Sequence, residues 1–212
     1  MIKVTIKETI GGNVKAIVFD FGGVLVDWNP RHLYRKIFAS AEEMEWFLAN
    51  VCTTAWNARQ DAGRPFAEAV ALLQEQFPKY HAEIAAYFDR WGEMLSGEIS
   101  GMRELVAALK AKGSKLYGLT NWSAETFPQA RAQFDIFQSI ENILVSGEEK
   151  MIKPDPKIYE RFLEKFSLRA EKCIFIDDNP ANVAAAQMVG MDAILFQNAE
   201  QLKEELQKRE IL

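Results

Sequence analysis

The residues best suited to chemistry in this sequence are acidic side chains that directly follow short apolar runs. Asp20 comes after the run 14–19, and Asp177 and Asp178 come after the run 173–176. Carboxylates brought together in this way repel one another unless a cation binds between them, and hard oxygen ligands favour Mg²⁺. We therefore expect these acids to form a magnesium site.

A hydroxyl and an amine stand in comparable positions. Thr120 follows the apolar run 115–119, and Lys153 lies in the loop after the run 143–145. A carboxylate beside Mg²⁺, a hydroxyl and an ammonium group is suited to attack a phosphoryl group, giving an aspartyl phosphate that water hydrolyses. The positive groups offset charge on the phosphoryl oxygens in the transition state. Each residue alone is also common in turns, caps or on surfaces, but the set favours metal-assisted phosphoryl transfer.

The apolar runs that precede these residues predict the strands of a parallel sheet, because short, near-continuous apolar runs are typical of strands covered on both faces. The predicted strands are 14–19, 115–119, 143–145, 173–176 and 193–196. Helical patterns alternate with them over 102–112, 156–166, 181–189 and 200–209. We predict an α/β fold with a doubly wound parallel sheet, whose ligands bind at the carboxyl ends of the strands.

Residues from about 30 to 95 interrupt this alternation. They contain four or five amphipathic helical patterns and no credible strand, with a Gly-Arg-Pro break at 63–65. We predict a helical bundle at 30–95 inserted into a core made of 1–29 and 96–212. The first twelve residues predict either an edge strand or a lead into the core.

Composition and charge exclude several classes of protein. The 212 residues are 49% hydrophobic with a net charge of −5, which argues against disorder and against nucleic-acid binding, since no basic excess is present. Charges interrupt every segment long enough to span a bilayer, and no signal-peptide pattern is visible. Cys52 and Cys173 have no CxxC partner, so we expect a cytoplasmic protein. The oligomeric state is not predicted.

Four segments together resemble the motifs of the haloacid dehalogenase-like hydrolase superfamily. They are Phe19-Asp20-Phe21-Gly22-Gly23-Val24-Leu25, Leu119-Thr120-Asn121, Lys153-Pro154 and Ile176-Asp177-Asp178-Asn179. Their order and spacing match over essentially the whole chain, and residues 30–95 resemble the helical type-1 cap of that superfamily. The resemblance implies a Rossmann-like core and Mg²⁺-dependent phosphatase activity on a small phosphorylated molecule.

The resemblance also implies a role for each matching residue at the reacting phosphate. Asp20 would be the nucleophile. Thr120 would hydrogen-bond the phosphoryl oxygens, with help from the backbone of Asn121. Lys153 would neutralise both the nucleophile and the phosphate. These residues are the expected catalytic and phosphate-binding set.

The metal site implied by the resemblance uses Asp20, Asp178 and the backbone carbonyl of Gly22, with Asp177 either as a further ligand or behind the ligands. Phosphatases of the family usually have a second Asp at position 22, as general acid and base. Losing a positioned acid costs roughly 10²–10⁴-fold on a poor leaving group. Either the enzyme prefers good leaving groups, such as sugar 1-phosphates or acyl phosphates, or another side chain substitutes. A glycine here resembles the sugar-1-phosphate phosphatase branch.

Two alternatives stay open. A 2-haloacid dehalogenase would use the same Asp to attack carbon without a metal, and the segment 153–156 and Tyr159 resemble that branch. The Asp177-Asp178 pair argues against it, because dehalogenases have small neutral residues there. The other alternative is a catalytically weakened regulator that binds phosphate and metal, which the glycine at position 22 would fit.

Substrate selection would fall to the helical insertion. The candidates are polar residues near its break: Asn57, Arg59, Asp61 and Arg64. The aromatic residues of the insertion recur at helical spacing, which predicts that they form the core of the bundle.

Overall fold

The computed structural model describes residues 16–212, so the prediction for the first twelve residues lies outside the described range. In chain order the strands are β1 (Ala16–Phe19), β2 (Val26–Trp28), β3 (Leu95–Glu98), β4 (Leu116–Thr120), β5 (Asn142–Val145), β6 (Cys173–Asp177) and β7 (Asp192–Leu195). The helices are α1 (Arg31–Tyr34), α2 (Ala41–Asn50), α3 (Thr54–Asp61), α4 (Phe66–Gln76), α5 (His81–Asp89), α6 (Met102–Ala111), α7 (Phe127–Gln133), α8 (Ser146–Glu149), α9 (Pro156–Lys165), α10 (Pro180–Met188) and α11 (Ala199–Lys208).

Five of the strands form one parallel sheet in the order β5-β4-β1-β6-β7. Strand β1 is central, with Ile17 opposite both Leu116 of β4 and Ile174 of β6. The chain moves outward from β1 on both sides, so the strand order reverses there and the carboxyl ends of β1, β4 and β6 are neighbours. The predicted α/β fold with a doubly wound, Rossmann-like sheet is confirmed.

Side chains of the central strand alternate between two hydrophobic cores. Ile17 and Phe19 pack in the core that contains the apolar faces of α6 and α11. Ala16 and Val18 pack in the core that contains those of α9 and α10. Since successive strand residues point to opposite faces, helices on both sides bury the three central strands β1, β4 and β6 along their whole length and hold their ends in fixed positions.

The helix that follows β6 begins immediately after the acidic pair. The Asn179 side chain accepts a hydrogen bond of 2.9 Å from the backbone N–H of Ala181, and Pro180 is the first residue of α10. Both features favour a helix start, because Asn caps free N–H groups and Pro has none to lose. Asp177 and Asp178 are thereby fixed in a short turn between a buried strand and a helix.

Helices α1 to α5 lie between β2 and β3, which pair antiparallel with Val26 opposite Glu98. No apolar run marks these two strands, since their sequences are Val-Asp-Trp and Leu-Ser-Gly-Glu, and they were not predicted. The division of the chain at 30 and 95 stays a prediction. Among residues 16–212, no helix has both the length and the apolar character needed to cross a membrane.

The aromatic residues of the insertion mostly pack against one another, as expected for a bundle core. Tyr34, Phe47 and Tyr87 are almost fully buried, and the rings of Tyr34 and Phe47 lie 4.9 Å apart. Trp46 is the exception, with 47% of its surface exposed.

Candidate active site

A buried lysine lies at the centre of the residues predicted to do chemistry. Lys153 Nζ lies 2.7 Å from Asp177 Oδ2 and 3.0 Å from Asp20 Oδ1, and it donates a 2.9 Å hydrogen bond to the Leu119 carbonyl. Only 2% of the lysine surface is exposed. The ends of β1, β4 and β6 thus meet at one ammonium group, as the sequence predicted for this sheet edge.

Charge and burial oppose one another in this cluster. Burial alone would lower the pKa of Lys153, but the carboxylates of Asp20 and Asp177 raise it above its ordinary value. Burial raises the pKa of Asp20 to about 7; Lys153 opposes this increase and Asp177 adds to it. A further cation beside Asp20 would favour its ionised form, which is the form that a nucleophile needs.

Asp177 is anchored by more hydrogen bonds than its neighbours. In addition to Lys153, its oxygens accept from the backbone N–H of Asn179 at 2.8 Å and from the side-chain amide of Asn182 at 3.1 Å. Asp177 is fully buried. Because its oxygens are occupied in this way, Asp177 holds Lys153 in place and is less available to a metal than Asp178.

The three acids satisfy the distance requirement for a shared cation. One carboxylate oxygen each from Asp20, Asp177 and Asp178 lies within 4.8 Å of the others, and residues 16–212 contain no second such group of three. Gly23 lies beside this cluster with φ +78°, and a Cβ there would come within 2.7 Å of Asp178 Cγ. Carboxylate oxygens fit a hard divalent cation such as Mg²⁺, so the residues present fit the predicted metal.

Thr120 ends strand β4 beside this cluster. It is 1% exposed, and its hydroxyl has no hydrogen-bond partner among residues 16–212. A buried polar group without a partner costs free energy unless a ligand supplies one. The expected contact between this hydroxyl and a phosphoryl oxygen stays a prediction.

The side chain of Asn121 has a role that the sequence did not predict. Its amide donates 2.9 Å to the Lys153 carbonyl, and its oxygen accepts 2.8 Å from the Lys153 backbone N–H. These two bonds fix the backbone that carries the lysine. The expected contact between the backbone of Asn121 and phosphate stays a prediction.

A cavity of about 410 Å³ lies between this sheet edge and the insertion. The core contributes Asp20, Gly22, Gly23, Asn121, Trp122, Asp178, Asn179 and Asn182; the remaining wall is formed by Trp28, Thr54, Asn57, Ala58, Asp61 and Trp91. Of the four polar candidates for substrate selection, Asn57 and Asp61 line the cavity. Arg64 instead hydrogen-bonds the Gln60 side chain at 2.6 Å, and Arg59 is not in the lining.

Sequence reasoning missed two residues that hold the site together. Asn182 binds Asp177, and its only sequence signal is its place one turn after the capping residue Asn179. The Ser146 hydroxyl accepts 2.9 Å from the Trp122 backbone N–H and donates 2.6 Å to the carbonyl of Asp61, 85 residues away. No local pattern could have indicated the second contact, because it forms only when the insertion packs on the core.

The family model for haloacid dehalogenase-like hydrolases matches residues 14–190. A sesquiterpene phosphatase of Aspergillus oryzae is 32% identical over 177 residues, covering 84% of this chain and 87% of that protein. A phosphorylated carbohydrates phosphatase of Thermotoga maritima is 23% identical, covering 85% of this chain and 84% of that protein. Two further relatives are much longer, and the match spans only 19% and 36% of their lengths.

Solved structures share the fold over nearly the whole chain. A haloacid dehalogenase family enzyme of Bacteroides thetaiotaomicron superposes with a TM-score of 0.72 at 20% identity, covering 92% of this chain and 98% of that one. A structure of that enzyme in complex with magnesium and inorganic phosphate gives a TM-score of 0.65 at 23% identity, with coverages of 87% and 95%. With the family model matching most of its length, the chain belongs to the haloacid dehalogenase-like hydrolases and is a hydrolase.

Proposed function

We propose that the protein is a Mg²⁺-dependent phosphatase that hydrolyses a small phosphorylated metabolite through an aspartyl phosphate on Asp20. The observation that carries this proposal is the arrangement of charged side chains at the carboxyl ends of the strands. A buried ammonium, Lys153, lies 3.0 Å from Asp20, and the acidic cluster that fits a divalent cation includes the same carboxylate. Two positive charges around one carboxylate favour attack on an anionic group.

The nucleophilic oxygen follows from the hydrogen bonds of Asp20. Its Oδ1 atom accepts 2.6 Å from the Phe21 backbone N–H and lies 3.0 Å from Lys153 Nζ. Oδ2 is therefore the oxygen that we expect to attack phosphorus. The two contacts to Oδ1 hold the carboxylate in one orientation, so the attack costs little reorganisation.

The remaining residues offset negative charge on the transferred group. Lys153 neutralises Asp20 and the phosphate, and the Thr120 hydroxyl, which has no partner in residues 16–212, donates to a phosphoryl oxygen. Asp20, Asp178 and the Gly22 backbone carbonyl would hold Mg²⁺, with Asp177 behind them. When bound, the ion supplies Lewis-acid stabilisation of the charge between nucleophile and phosphate.

Sugar phosphates are the substrate class that we propose to test first. Trp28, Trp91 and Trp122 line the cavity, and the indole N–H groups of Trp28 and Trp122 have no partner among the described residues. Sugars combine apolar faces, which pack on indole rings, with hydroxyl acceptors for those N–H groups. The Thermotoga relative is named a phosphorylated carbohydrates phosphatase and the Aspergillus relative a sesquiterpene phosphatase, so a prenyl phosphate is added to the sugar phosphates of the panel.

The test is phosphate release by the purified protein from sugar phosphates, acyl phosphates, nucleotides, prenyl phosphates and p-nitrophenyl phosphate, with Mg²⁺ or with a chelator. We expect turnover only with Mg²⁺. Asp20→Asn should lower the turnover rate by roughly 10⁴-fold or more. Asp89→Asn, a substitution of an exposed residue, should leave the rate unaltered.

Other outcomes would contradict the proposal. Halide release from chloroacetate without Mg²⁺ would instead support a dehalogenase. Tight binding of Mg²⁺ and phosphate without any turnover would support a regulator.

A further inference from the structure

One acidic side chain lines the cavity from the insertion: Asp61, the last residue of α3. We propose that Asp61 is the general acid and base of the reaction, in the role that Gly22 cannot fill. This inference rests on the proposed phosphatase function. It assigns the proton transfers to a residue of the insertion, far in sequence from the strand-end motifs.

Asp61 is held in a defined position against the core. Its Oδ2 atom accepts a hydrogen bond of 2.9 Å from the Asn57 amide, and the Ser123 backbone N–H is near enough to its carboxylate to act on its pKa. Its main-chain carbonyl accepts 2.6 Å from the Ser146 hydroxyl. The same Ser146 hydroxyl accepts from the Trp122 backbone N–H, so Asp61 is held against the loop that follows Thr120.

The backbone at position 22 leaves room for a Cβ. A Cβ at Gly22 would meet only Trp28 Cβ, at an ordinary contact distance of 3.8 Å. Gly22 and Asp61 line the same cavity, so Asp61 brings a carboxyl to the cavity in which an acid at position 22 would also lie. A reaction that needs an acid therefore has one available in this cavity.

The environment of Asp61 supports proton transfer in both directions. Burial raises its pKa to about 7, while the Ser123 N–H and the Lys153 ammonium act against that increase. The other ionisable groups around it are Tyr87 of α5 and, across the cavity, Asp20 and Asp178. A carboxyl with a pKa near 7 is present in both protonation states at neutral pH, as general acid–base catalysis requires.

The proposed steps balance. Asp20 Oδ2 forms a bond to phosphorus as the bond from phosphorus to the leaving oxygen breaks, and that oxygen takes the proton of the Asp61 carboxyl. The Asp61 carboxylate then takes a proton from water as the water oxygen attacks phosphorus. The bond between phosphorus and Asp20 breaks, which releases inorganic phosphate, restores the Asp20 carboxylate and leaves Asp61 protonated.

A general acid can be recognised by its dependence on the leaving group. We compare wild type, Asp61→Asn and Asp61→Glu by rapid quench with an alkyl phosphate and with p-nitrophenyl phosphate, in Mg²⁺. Asn keeps an oxygen that can accept from the Asn57 amide but has no acidic proton to give, whereas Glu keeps a carboxyl. Asp89→Asn, an exposed change on the same insertion, is the matched control.

For Asp61→Asn we expect the alkyl phosphate rate to fall by roughly 10²–10⁴-fold, while the first release of p-nitrophenol stays within about threefold of wild type. Because the second step also lacks its base, p-nitrophenol should appear as a burst of one equivalent per site, followed by slow turnover. Asp61→Glu should recover part of the alkyl phosphate rate.

Equal losses on both substrates in both variants would overturn the inference, since they would mean that Asp61 acts only through the structure of the insertion. An unchanged alkyl phosphate rate in Asp61→Asn would also overturn it. Absence of turnover in wild type on every phosphate contradicts the proposed function itself, so the two failures are distinguishable.

Discussion

The active-site cavity lies between a core wall, made of the strand ends with the loops that follow them, and an insertion wall, made of Trp28, Thr54, Asn57, Ala58, Asp61 and Trp91. The two walls hold their charged groups in different ways. On the core wall, Lys153 is buried between Asp20 and Asp177, so opposite charges are paired at 3.0 and 2.7 Å. On the insertion wall, Asp61 accepts a hydrogen bond from the Asn57 amide, and no cationic side chain among residues 16–212 forms an ion pair with it. The core wall thus pairs opposite charges directly, whereas the insertion wall holds a carboxyl that is hydrogen-bonded to a neutral amide.

This difference follows from what each wall is made of. The core wall consists of strand ends buried on both faces, where unpaired charges are costly and the backbone positions are fixed. The insertion wall is carried by helices attached through β2 and β3, and it contacts the core through bonds such as that from Ser146 to Asp61. Removing a charge should therefore have opposite effects on the two walls.

The largest expected effect is on the core wall. Lys153→Met leaves the carboxylates of Asp20 and Asp177 buried without their cation, and breaking a buried pair in this way costs about 3–5 kcal/mol. Urea unfolding measures the loss. Lys208→Met is the control, because Lys208 pairs with Glu205 at 2.7 Å on the surface with 66% of its side chain exposed. Surface pairs contribute about 0–1 kcal/mol. Similar losses of stability in the two variants would mean that the buried charges of the core wall depend on their pairing no more than surface charges do.

The sequence predicted the core wall well for a physical reason. Buried parallel strands need apolar runs, and the polar residue that ends each run must lie at the sheet edge, so Asp20, Thr120 and Asp177 could be placed together. The contacts of Asn121 and Ser146 could not be predicted. They depend on how loops and the insertion pack, and polar residues of those types occur equally in ordinary turns.

The insertion itself was predicted only in outline. Its helices have apolar stripes that the sequence displays, but strands β2 and β3 have no such pattern and become visible only when paired. The cavity-lining residues Asn57 and Asp61 were named among four candidates, and nothing local distinguished them from Arg59 and Arg64. Which face of α3 meets the core is decided by tertiary packing.

A smaller loss of stability is expected when a side chain is added at Gly23, which lies against Asp178 on the core wall. Gly23→Ala imposes a side chain at φ +78° and places its Cβ 2.7 Å from Asp178 Cγ. Gly113→Ala is a matched control with φ +80° and no atom within 4 Å. The shared backbone strain costs about 1–2 kcal/mol, and we expect Gly23→Ala to lose about 1 kcal/mol more.

The same pair of variants reports on the metal. Mg²⁺ stabilises the folded protein in proportion to its binding, and we expect the rise in melting temperature on adding Mg²⁺ to shrink in Gly23→Ala and to stay unchanged in Gly113→Ala. Equal Mg²⁺ responses would mean that Asp178 is not a ligand.

The smallest expected effect has the opposite sign and concerns the insertion wall. The pKa of Asp61 is raised to about 7 in the folded protein, above its value in the unfolded chain. A carboxyl of this kind contributes stability below its unfolded pKa, and that contribution is lost as the pH rises through the folded pKa. The free energy of unfolding of Asp61→Asn, relative to that of wild type, should therefore rise by about 1–2 kcal/mol between about pH 5 and about pH 8.

Urea unfolding of both proteins across this pH range checks the prediction, and Asp89→Asn, on the exposed end of α5, should track wild type throughout. If the difference in free energy of unfolding between Asp61→Asn and wild type instead shrinks as the pH rises, Asp61 is held as a stabilised carboxylate. Because the Asp61 carboxyl is hydrogen-bonded to an amide and lacks the direct ammonium contact that Asp20 has, we expect the stability difference to widen. That sign is what makes Asp61 suited to give up and regain a proton.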